Sequence, residues 1–318
     1  QNLMGAAIVF GAYSFLMCLI WTTMGAVDVA FTEAAVGAGV STVFIVSTIY
    51  NTGVSAIPKS PRIAFKIFAS LIAIGTGAFL LSALPDFPHW GDPKSPVNSI
   101  VAPYYIENSM KDAHVPNIVT TVLADYRSFD TLLETTVVFI ACIAIYSILR
   151  IDNAKSKVTE PDIITSPPAY DPTDSLIIRQ ASRIMVPFMQ LFALYVISHG
   201  HYSPGGGFQG GVILAASIIL LCISFDLKYV LQYWTEKKIM LLTALGVLIF
   251  ALVGLACTLM GGEYLNYGML DSVLPGDKAY ARSHGILLVE IGVGMTVMFS
   301  MIGIYINLAS NGRFDRGL

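Results

Sequence analysis

The sequence predicts an all-α integral membrane protein with about eight transmembrane helices and an outer proline-rich cap loop. Of its 318 residues, 55% are hydrophobic and 12% are charged, whereas about 25% of residues are charged in a typical soluble domain. The charged residues cluster between long uncharged runs. A helix needs about 20 apolar residues to cross a bilayer, and about eight runs reach that length.

The apolar runs follow one another along the chain, and each defines one predicted helix. The fifth run is the shortest, so we expect this helix to be tilted or to extend into its flank. The runs lie at about 3–23, 27–50, 64–84, 131–150, 183–199, 208–226, 239–260 and 284–307.

Clusters of lysine and arginine fall on alternate sides of this helix count and set the predicted orientation. The positive-inside rule places such clusters in the cytoplasm. The opposite connections, residues 85–130, 200–207 and 261–283, then face outward. The clusters consist of Lys59, Arg62 and Lys66; Arg150, Lys155, Lys157, Arg179 and Arg183; Lys228, Lys237 and Lys238; and Arg313 and Arg316.

Two long connections separate the predicted helices. Residues 85–130 contain six prolines from Pro85 to Pro116 together with Trp90, which favours an ordered outer cap over a flexible tether. Residues 152–181 combine four prolines with mixed charge, a composition typical of a linker. We therefore expect a cytoplasmic linker that joins two modules, with the boundary near residue 165.

The orientation predicts which loops a membrane-impermeant thiol reagent reaches. In intact cells, and with the native cysteines replaced, Ser95→Cys should be labelled and Ser156→Cys should not, because the first lies in the predicted outer cap and the second in the predicted cytoplasmic linker. Equal labelling of both variants, or labelling of Ser156→Cys alone, would contradict the orientation.

Several functional classes leave no pattern in the sequence. The cysteines Cys18, Cys142, Cys222 and Cys257 each stand alone in an apolar run, which argues against an iron–sulfur or zinc site. There is no nucleotide-binding glycine motif and no basic patch for nucleic acid at a net charge of −3. No inverted repeat of an independent transporter is apparent.

The first apolar run begins almost at Gln1, without a visible signal peptide, so we expect further sequence upstream.

Four carboxylates lie inside predicted membrane helices: Asp28, Glu33, Glu134 and Glu290. An ionisable group at the centre of a membrane helix costs about 2.5–3.5 kcal/mol on insertion scales, so it persists mostly where it serves a path or a partner. In the predicted orientation all four lie in the outer half of the bilayer, where a leaving cation or proton needs acceptors. The alternative is that each carboxylate is hydrogen-bonded to a neighbouring helix or protein.

Other polar residues lie near the predicted outer ends of helices. Asp125, Arg127 and Asp130 precede Glu134, and Asp130 or the adjacent threonine is a good N-cap for the fourth helix. A fixed starting point for the fourth helix explains this segment without any role in transport. His284 is predicted one residue before the last helix, where it either relays protons together with two histidines near residue 200 or faces interfacial water.

A glycine-rich run opens the sixth apolar segment. Pro204 is followed by Gly205, Gly206 and Gly207, and two further glycines come just after. Glycine lets backbones approach closely and proline starts or stops a helix. The run either allows tight helix packing or exposes backbone amides at a helix N-terminus to an anion or a carboxylate. The sequence favours packing.

These segments resemble the Mrp-type sodium/proton antiporters and the related membrane-bound hydrogenases. Residues 27–37 (VDVAFTEAAVG) are similar to a small helical module, the hydrogenase D subunit, although Val27 stands where proline is usual and puts a kink in doubt. Residues 65–150, with 86–91 (DFPHWG) and the Asp125–Glu134 run, look like the hydrogenase E subunit. Residues from about 175 onward, with the Pro204–Phe208 signature and the final His284–Glu290 helix, look like the MrpB/MnhB protein of the antiporters.

The resemblance implies a division into fused modules. Residues 1–60 would form the D-like (DUF4040-type) helical module, 61–160 the E-like module with outer loop 85–130, 161–182 the cytoplasmic linker, and 183–318 the MrpB/MnhB-like helical module. The TEAAVG form of the first motif looks closer to the hydrogenase and sulfane-reductase branch, since the antiporter branch often has glutamine at the position of Glu33.

The resemblance also implies a function. The chain would be a non-redox subunit of a complex-I-like or stand-alone antiporter module, contributing carboxylates to ion translocation or serving as a structural adaptor between large antiporter subunits. It would have no catalytic site and no cofactor of its own, with Na⁺ and H⁺ as the transported ions, although it could belong to an ion-translocating oxidoreductase complex. Its partners would be large and small membrane subunits and lipid in the cytoplasmic membrane of a prokaryote.

Overall fold

The computed structural model describes residues 3–52, 62–89, 91–150, 176–310 and 312, and within these ranges the chain is helical and contains no strand. Eight helices in the described ranges are long and apolar enough to cross a membrane. The prediction of an all-α membrane protein with about eight spans is therefore confirmed. Most of the predicted cytoplasmic linker, Trp90 and the outlying basic residues (Lys59, Lys155, Lys157, Arg313 and Arg316) lie outside the described residues.

The first two spans form a helical hairpin. Helix α1 is Leu3–Thr23. The second span consists of α2 (Val27–Glu33), a π-helical segment (Ala34–Ser41) and α3 (Thr42–Thr52). The helix starts cleanly at Val27, so the irregularity of this span is the π-helical segment and not a kink at the position where proline is usual. Such wider turns are frequent at functional sites.

Residues 55–108 form one compact unit. Its membrane-spanning helix is α4 (Ile63–Ser82), followed by a 3₁₀ turn at Leu84–Asp86 and a π-helical turn at Val97–Val101 that continues into α5 (Ala102–Ala113). None of the side chains of α4 is buried. Much of the predicted proline-rich cap is thus helical, while its place on the outer side of the membrane stays a prediction.

Residues 2–54 and 109–318 form the second, larger unit. It holds α1 to α3, the end of α5, and the remaining elements of the chain. These are α6 (Ile118–Thr121), a π-helical turn (Val122–Tyr126), α7 (Ser128–Leu149), α8 (Leu176–His199), α9 (Gly207–Phe225), α10 (Leu227–Leu231), α11 (Glu236–Leu259), a 3₁₀ turn (Tyr267–Ser272) and α12 (Lys278–Ala309).

Helix α12 forms the centre of the larger unit and is its most deeply buried span. It packs on α7, α9 and α11. The backbones approach closely where glycines face each other, because Gly211 on α9 lies against the backbone of Gly294, and Gly246 on α11 lies against that of Gly292. Small residues permit such close helix packing in a membrane, where burial of apolar surface gives little drive for association.

The first spans are attached to α12 at one of its ends by a side-chain amide. Asn51, near the end of α3, donates hydrogen bonds from Nδ2 to the carbonyl oxygens of Leu308 (2.7 Å) and Ala309 (2.9 Å). These carbonyls belong to the last turn of α12, where the helix leaves its final acceptors without intrahelical donors. Asn51 thereby caps a helix that begins more than two hundred residues later in the chain.

Several predicted helix boundaries change. Helix α8 extends back to Leu176, as expected for the short fifth run. Helix α7 begins at Ser128, so Asp130 lies in its first turn and the prediction that it is an N-cap is wrong. Helix α12 begins at Lys278 with Asp277 as its N-cap. The prediction that His284 precedes this helix is therefore wrong, and Glu290 lies more than three turns inside it at about 3.6 residues per turn.

Candidate functional site: a carboxylate-lined cavity

A cavity of about 290 Å³ lies within the larger unit, at the end of the bundle where α9 and α12 begin. Its wall combines α2, α6, α7, α9 and α12 with the Val122–Tyr126 turn and the glycine run. Three of the four predicted membrane carboxylates line it: Asp28, Glu134 and Glu290. Threonine and glutamine side chains supply the other polar groups, namely Thr32, Thr120, Thr131, Thr135 and Gln209.

Glu290 is the most deeply buried of these carboxylates. It is 9% exposed, and its Oε2 atom has no hydrogen-bond partner among the described residues. The backbone amide of Gly207 is directed at the carboxyl group, and a Cβ added at Gly206 would lie 2.9 Å from Oε1. Since a buried charge is costly unless it is paired, the free oxygen calls for a proton or a cation.

The glycine run makes these contacts possible. Gly205 and Gly206 have φ values of +147° and +143°, a region that side chains rarely adopt. The Gly205 amide donates a hydrogen bond to Asp28 Oδ1 at 3.0 Å. A Cβ at Gly207 would overlap the carbonyl oxygen of Glu290. The run thus packs closely against α12 and also directs backbone amides at two carboxylates, at the positive end of the α9 dipole. Tight helix packing and backbone amides directed at carboxylates, the two interpretations of the glycine run, therefore both describe the structure.

Neutral polar residues that the sequence analysis did not select hold the cavity wall in place. Asn117 Nδ2 donates to the carbonyl oxygens of Gly200 and Ser203, both at 3.1 Å, and Thr120 Oγ1 also donates to Gly200 O at 2.8 Å. Gln209 Nε2 donates to Thr32 Oγ1 at 2.8 Å. A glutamine in an apolar run is itself a signal of a functional or packing role, whereas nothing in the sequence distinguishes Asn117.

Glu33 and His284 do not line the cavity. Glu33 lies against Gly37 of its own span and close to Ser14 and Cys18 of α1. The ring of His284 contacts the carbonyl oxygen of Tyr280 within the same helix. His201 is buried in the loop before α9, with Nε2 at 3.1 Å from Ser283 O, and burial lowers its pKa, which favours the neutral ring. The structure therefore does not place these histidines on a relay into the cavity.

The charged run before α7 divides into two separate ion pairs. Arg127 pairs with Asp130 at 2.5 Å on an exposed surface. Asp125, whose side chain is 4% exposed, instead pairs with Arg282 of α12 at 3.0 Å. Burial raises the pKa of Asp125, and the guanidinium of Arg282 opposes this shift. Nothing in the sequence points to Arg282, because it lies more than 150 residues from its partner.

Most of the chain matches models of known protein families. Residues 177–303 match the family model described as a domain related to the MnhB subunit of the Na⁺/H⁺ antiporter. Residues 1–54 match the D subunit of MBH, and residues 66–162 match the E subunit of MBH. The Na⁺/H⁺ antiporter B subunit of Bacillus subtilis is 32% identical over 132 residues, which cover 92% of that protein and 40% of this chain.

The chain belongs to the B-subunit family of Na⁺/H⁺ antiporters. It is 24% identical to a probable K⁺/H⁺ antiporter A/B subunit of Rhizobium meliloti, over 96% of this chain and 32% of that protein. A chain of the Mrp complex from a Dietzia species superposes with a TM-score of 0.65 at 27% identity, over 96% of this protein and 32% of the Dietzia chain. The protein thus spans about a third of these two long relatives.

The fold is shared with a second type of membrane complex. A chain of the archaeal membrane-bound sulfane sulfur reductase superposes with a TM-score of 0.53 over 76% of this protein and 97% of that chain, at 24% identity. The eight described spans and the antiporter relatives together identify an integral membrane protein. Both of these solved structures are of membrane complexes.

Proposed function

We propose that this protein forms part of the sodium or proton route of a multi-subunit Mrp-type antiporter module in the cytoplasmic membrane of a prokaryote. The observation that carries the proposal is the cavity, whose wall carries Asp28, Glu134 and Glu290. Carboxylates in a membrane interior usually mark an ion pathway. The relationship to the Na⁺/H⁺ antiporter B subunit of Bacillus subtilis supports this assignment.

The chemistry of the cavity suits a carboxylate that alternates between an ionised state and a state that holds a proton or a sodium ion. Glu290 keeps one unsatisfied oxygen, Oε2, which a proton or a sodium ion would satisfy. The Gly207 amide and the amino end of α9 stabilise the ionised form between two binding events. Asp28 and Glu134 supply further carboxylates along the same wall. We therefore assign Na⁺ and H⁺ as transported ions and no cofactor to this chain.

The protein would act together with partners. Large antiporter-like subunits, small membrane subunits and lipid would cover its exposed apolar helices. The matches to the D and E subunits of MBH support a place within or beside a complex-I-like redox system, in which this protein remains the non-redox part. A stand-alone antiporter module without a redox arm is the alternative setting.

A transport assay on the intact complex tests the proposed route. The complex is purified through a tag on this chain and reconstituted into vesicles, and sodium-dependent proton movement is recorded. Glu134→Gln removes a cavity charge at nearly constant volume and should lower the rate while leaving the complex assembled. Glu263→Gln, an exposed loop position, is the matched control. Wild-type rates after charge removal at all three cavity carboxylates would exclude the cavity from the route.

A structural adaptor role is the second candidate, and the hydrogen bond from Gly205 to Asp28 favours it, since this bond joins the D-like and B-like regions. Asp28→Asn keeps an Oδ1 acceptor and removes the charge, whereas Asp28→Ala removes both. If Asp28 serves only packing, Asp28→Asn should behave like the wild type and Asp28→Ala should lower the yield of assembled complex. If Asp28 serves transport, Asp28→Asn should already lower the rate. Size-exclusion profiles and the transport assay separate the two.

A further inference from the structure

A second opening lies at the same end of the larger unit as the cavity. This cleft, of about 530 Å³, is lined by charged side chains, among them Lys111, Asp112, Asp277, Lys278 and Arg282. Tyr126 donates a hydrogen bond from its hydroxyl to Asp112 at 2.6 Å beside the cleft. Both signs of charge are present, so the cleft is suited to hydrated ions of either sign.

The π-helical turn Val122–Tyr126 lies next to both the cavity and the cleft. Leu123 and Ala124 line the cavity, whereas the next residue, Asp125, points away from it and binds Arg282, which lines the cleft. Of two consecutive residues in this turn, Ala124 therefore lines the cavity and Asp125 holds a residue of the cleft wall. Such wide helical turns are rare and recur at functional sites.

Helix α12 connects the same two spaces. Arg282 lies eight residues before Glu290, or about 12 Å along a helix with a rise of 1.5 Å per residue. Ile286 and Val289 lie between them and are fully buried, and Ala124 of the turn is 3% exposed. These three residues belong to one buried hydrophobic cluster, an apolar layer between Arg282 and Glu290.

We propose that Asp125 and Arg282 belong to the ion path and form its gate between the charged cleft and the Glu290 cavity. Separation of the pair would release the Val122–Tyr126 turn, which carries Ala124 out of the apolar layer. Arg282 pairs with Asp125 and also contacts Asn266 at 3.5 Å, and the other titratable groups near Asp125 are Asp112, Cys257 and Tyr267. The gate rests on the proposed function of the cavity, since it controls access to that site.

Thiol accessibility inside the cavity tests the gate without relying on transport. Thr131→Cys places a thiol on the cavity wall, in a background where Cys18, Cys142, Cys222 and Cys257 are replaced. A small membrane-impermeant thiol reagent is applied to the intact complex from the side that carries residues 200–207. Arg282→Gln should raise the labelling rate about tenfold or more, because it leaves the buried Asp125 carboxylate without its charged partner and so destabilises the closed arrangement.

The matched control is Arg127→Gln, which breaks the exposed Arg127–Asp130 pair and should leave the labelling rate unchanged. Asp125→Asn should raise the rate as Arg282→Gln does, and Arg282→Lys should restore slow labelling. An unchanged rate in both gate variants, an equal rise in Arg127→Gln, or failure of both gate variants to assemble would overturn the gate and leave the pair as a structural tie.

The proposed function and the gate fail in different ways. In one case, labelling changes as expected but charge removal at Glu290 and Glu134 leaves transport intact. The pair then controls access to a cavity that lies off the ion route. The proposed gate of that route is overturned together with the function. If charge removal abolishes transport but labelling does not respond to the pair, the cavity stays on the route and ions reach it by another way.

Discussion

Replacing Glu290 with glutamine should lower sodium-dependent proton movement by about a hundredfold, the lower end of what a positioned proton-transfer group contributes to a rate. Glutamine keeps the shape of the side chain and one oxygen for the Gly207 amide, but it neither binds a proton in the physiological range nor holds a cation by charge. Glutamine is nearly isosteric with glutamate and carries no charge to bury, so the neutral amide should fit the same space. The complex should assemble normally.

Two further variants sharpen the Glu290 result. Glu33→Gln changes a carboxylate that lies close to α1 and does not line the cavity, so a smaller loss of rate is expected there. Glu290→Ala leaves a void and should lower both assembly and rate. Normal transport in Glu290→Gln would remove this residue from the route, and equal losses in Glu33→Gln and Glu290→Gln would show that the cavity does not define the path.

Substitution within the glycine run should have the largest effect on stability. Even the methyl group of Gly207→Ala would overlap the carbonyl oxygen of Glu290, and overpacking of a tight contact costs up to about 3 kcal/mol. Gly206→Leu should act in the same direction, because φ at this position is +143° and a side chain would meet the Glu290 carboxylate. Both changes should lower the yield and the thermal midpoint of the purified complex.

Gly75→Ala is the matched control for the glycine run. Gly75 lies in the interior of α4 and has nothing within 4 Å of an added Cβ, and alanine favours a helix over glycine by roughly 1 kcal/mol. It should leave the yield unchanged. Full stability of Gly207→Ala would contradict the close backbone approach. Normal assembly with lost transport would show that the amide directed at Glu290 matters more than packing.

The spans were accessible to sequence analysis because a membrane imposes a simple length and composition on every helix. The same hydropathy signal says nothing about hydrogen bonding inside a span, so the π-helical segment at Ala34–Ser41 was not foreseen. Helix starts were predicted less well at α7 and α12, since the polar residues that begin these helices lie outside the apolar runs and look like loop residues.

The candidate site was foreseen only in its separate parts. Asp28, Glu134, Glu290 and the glycine run each stand out, because charge and glycine are unusual in an apolar run. Their convergence on one cavity depends on the packing of distant helices, which a single sequence does not contain. Arg282 shows the same limit, because its importance comes from Asp125 and not from its own neighbours in the chain.

Asn51 at one end of α12, and Asp28 and Thr32 beside the start of α9, hold the first spans to the B-like region through four hydrogen bonds. In a single polypeptide these contacts form at a high effective concentration, so each can be weak and the two regions still stay together. The Bacillus subtilis relative aligns with only 40% of this chain. Fusion thus keeps the two regions at equal copy number, and the polar contacts at their boundary can break and re-form without separating the regions.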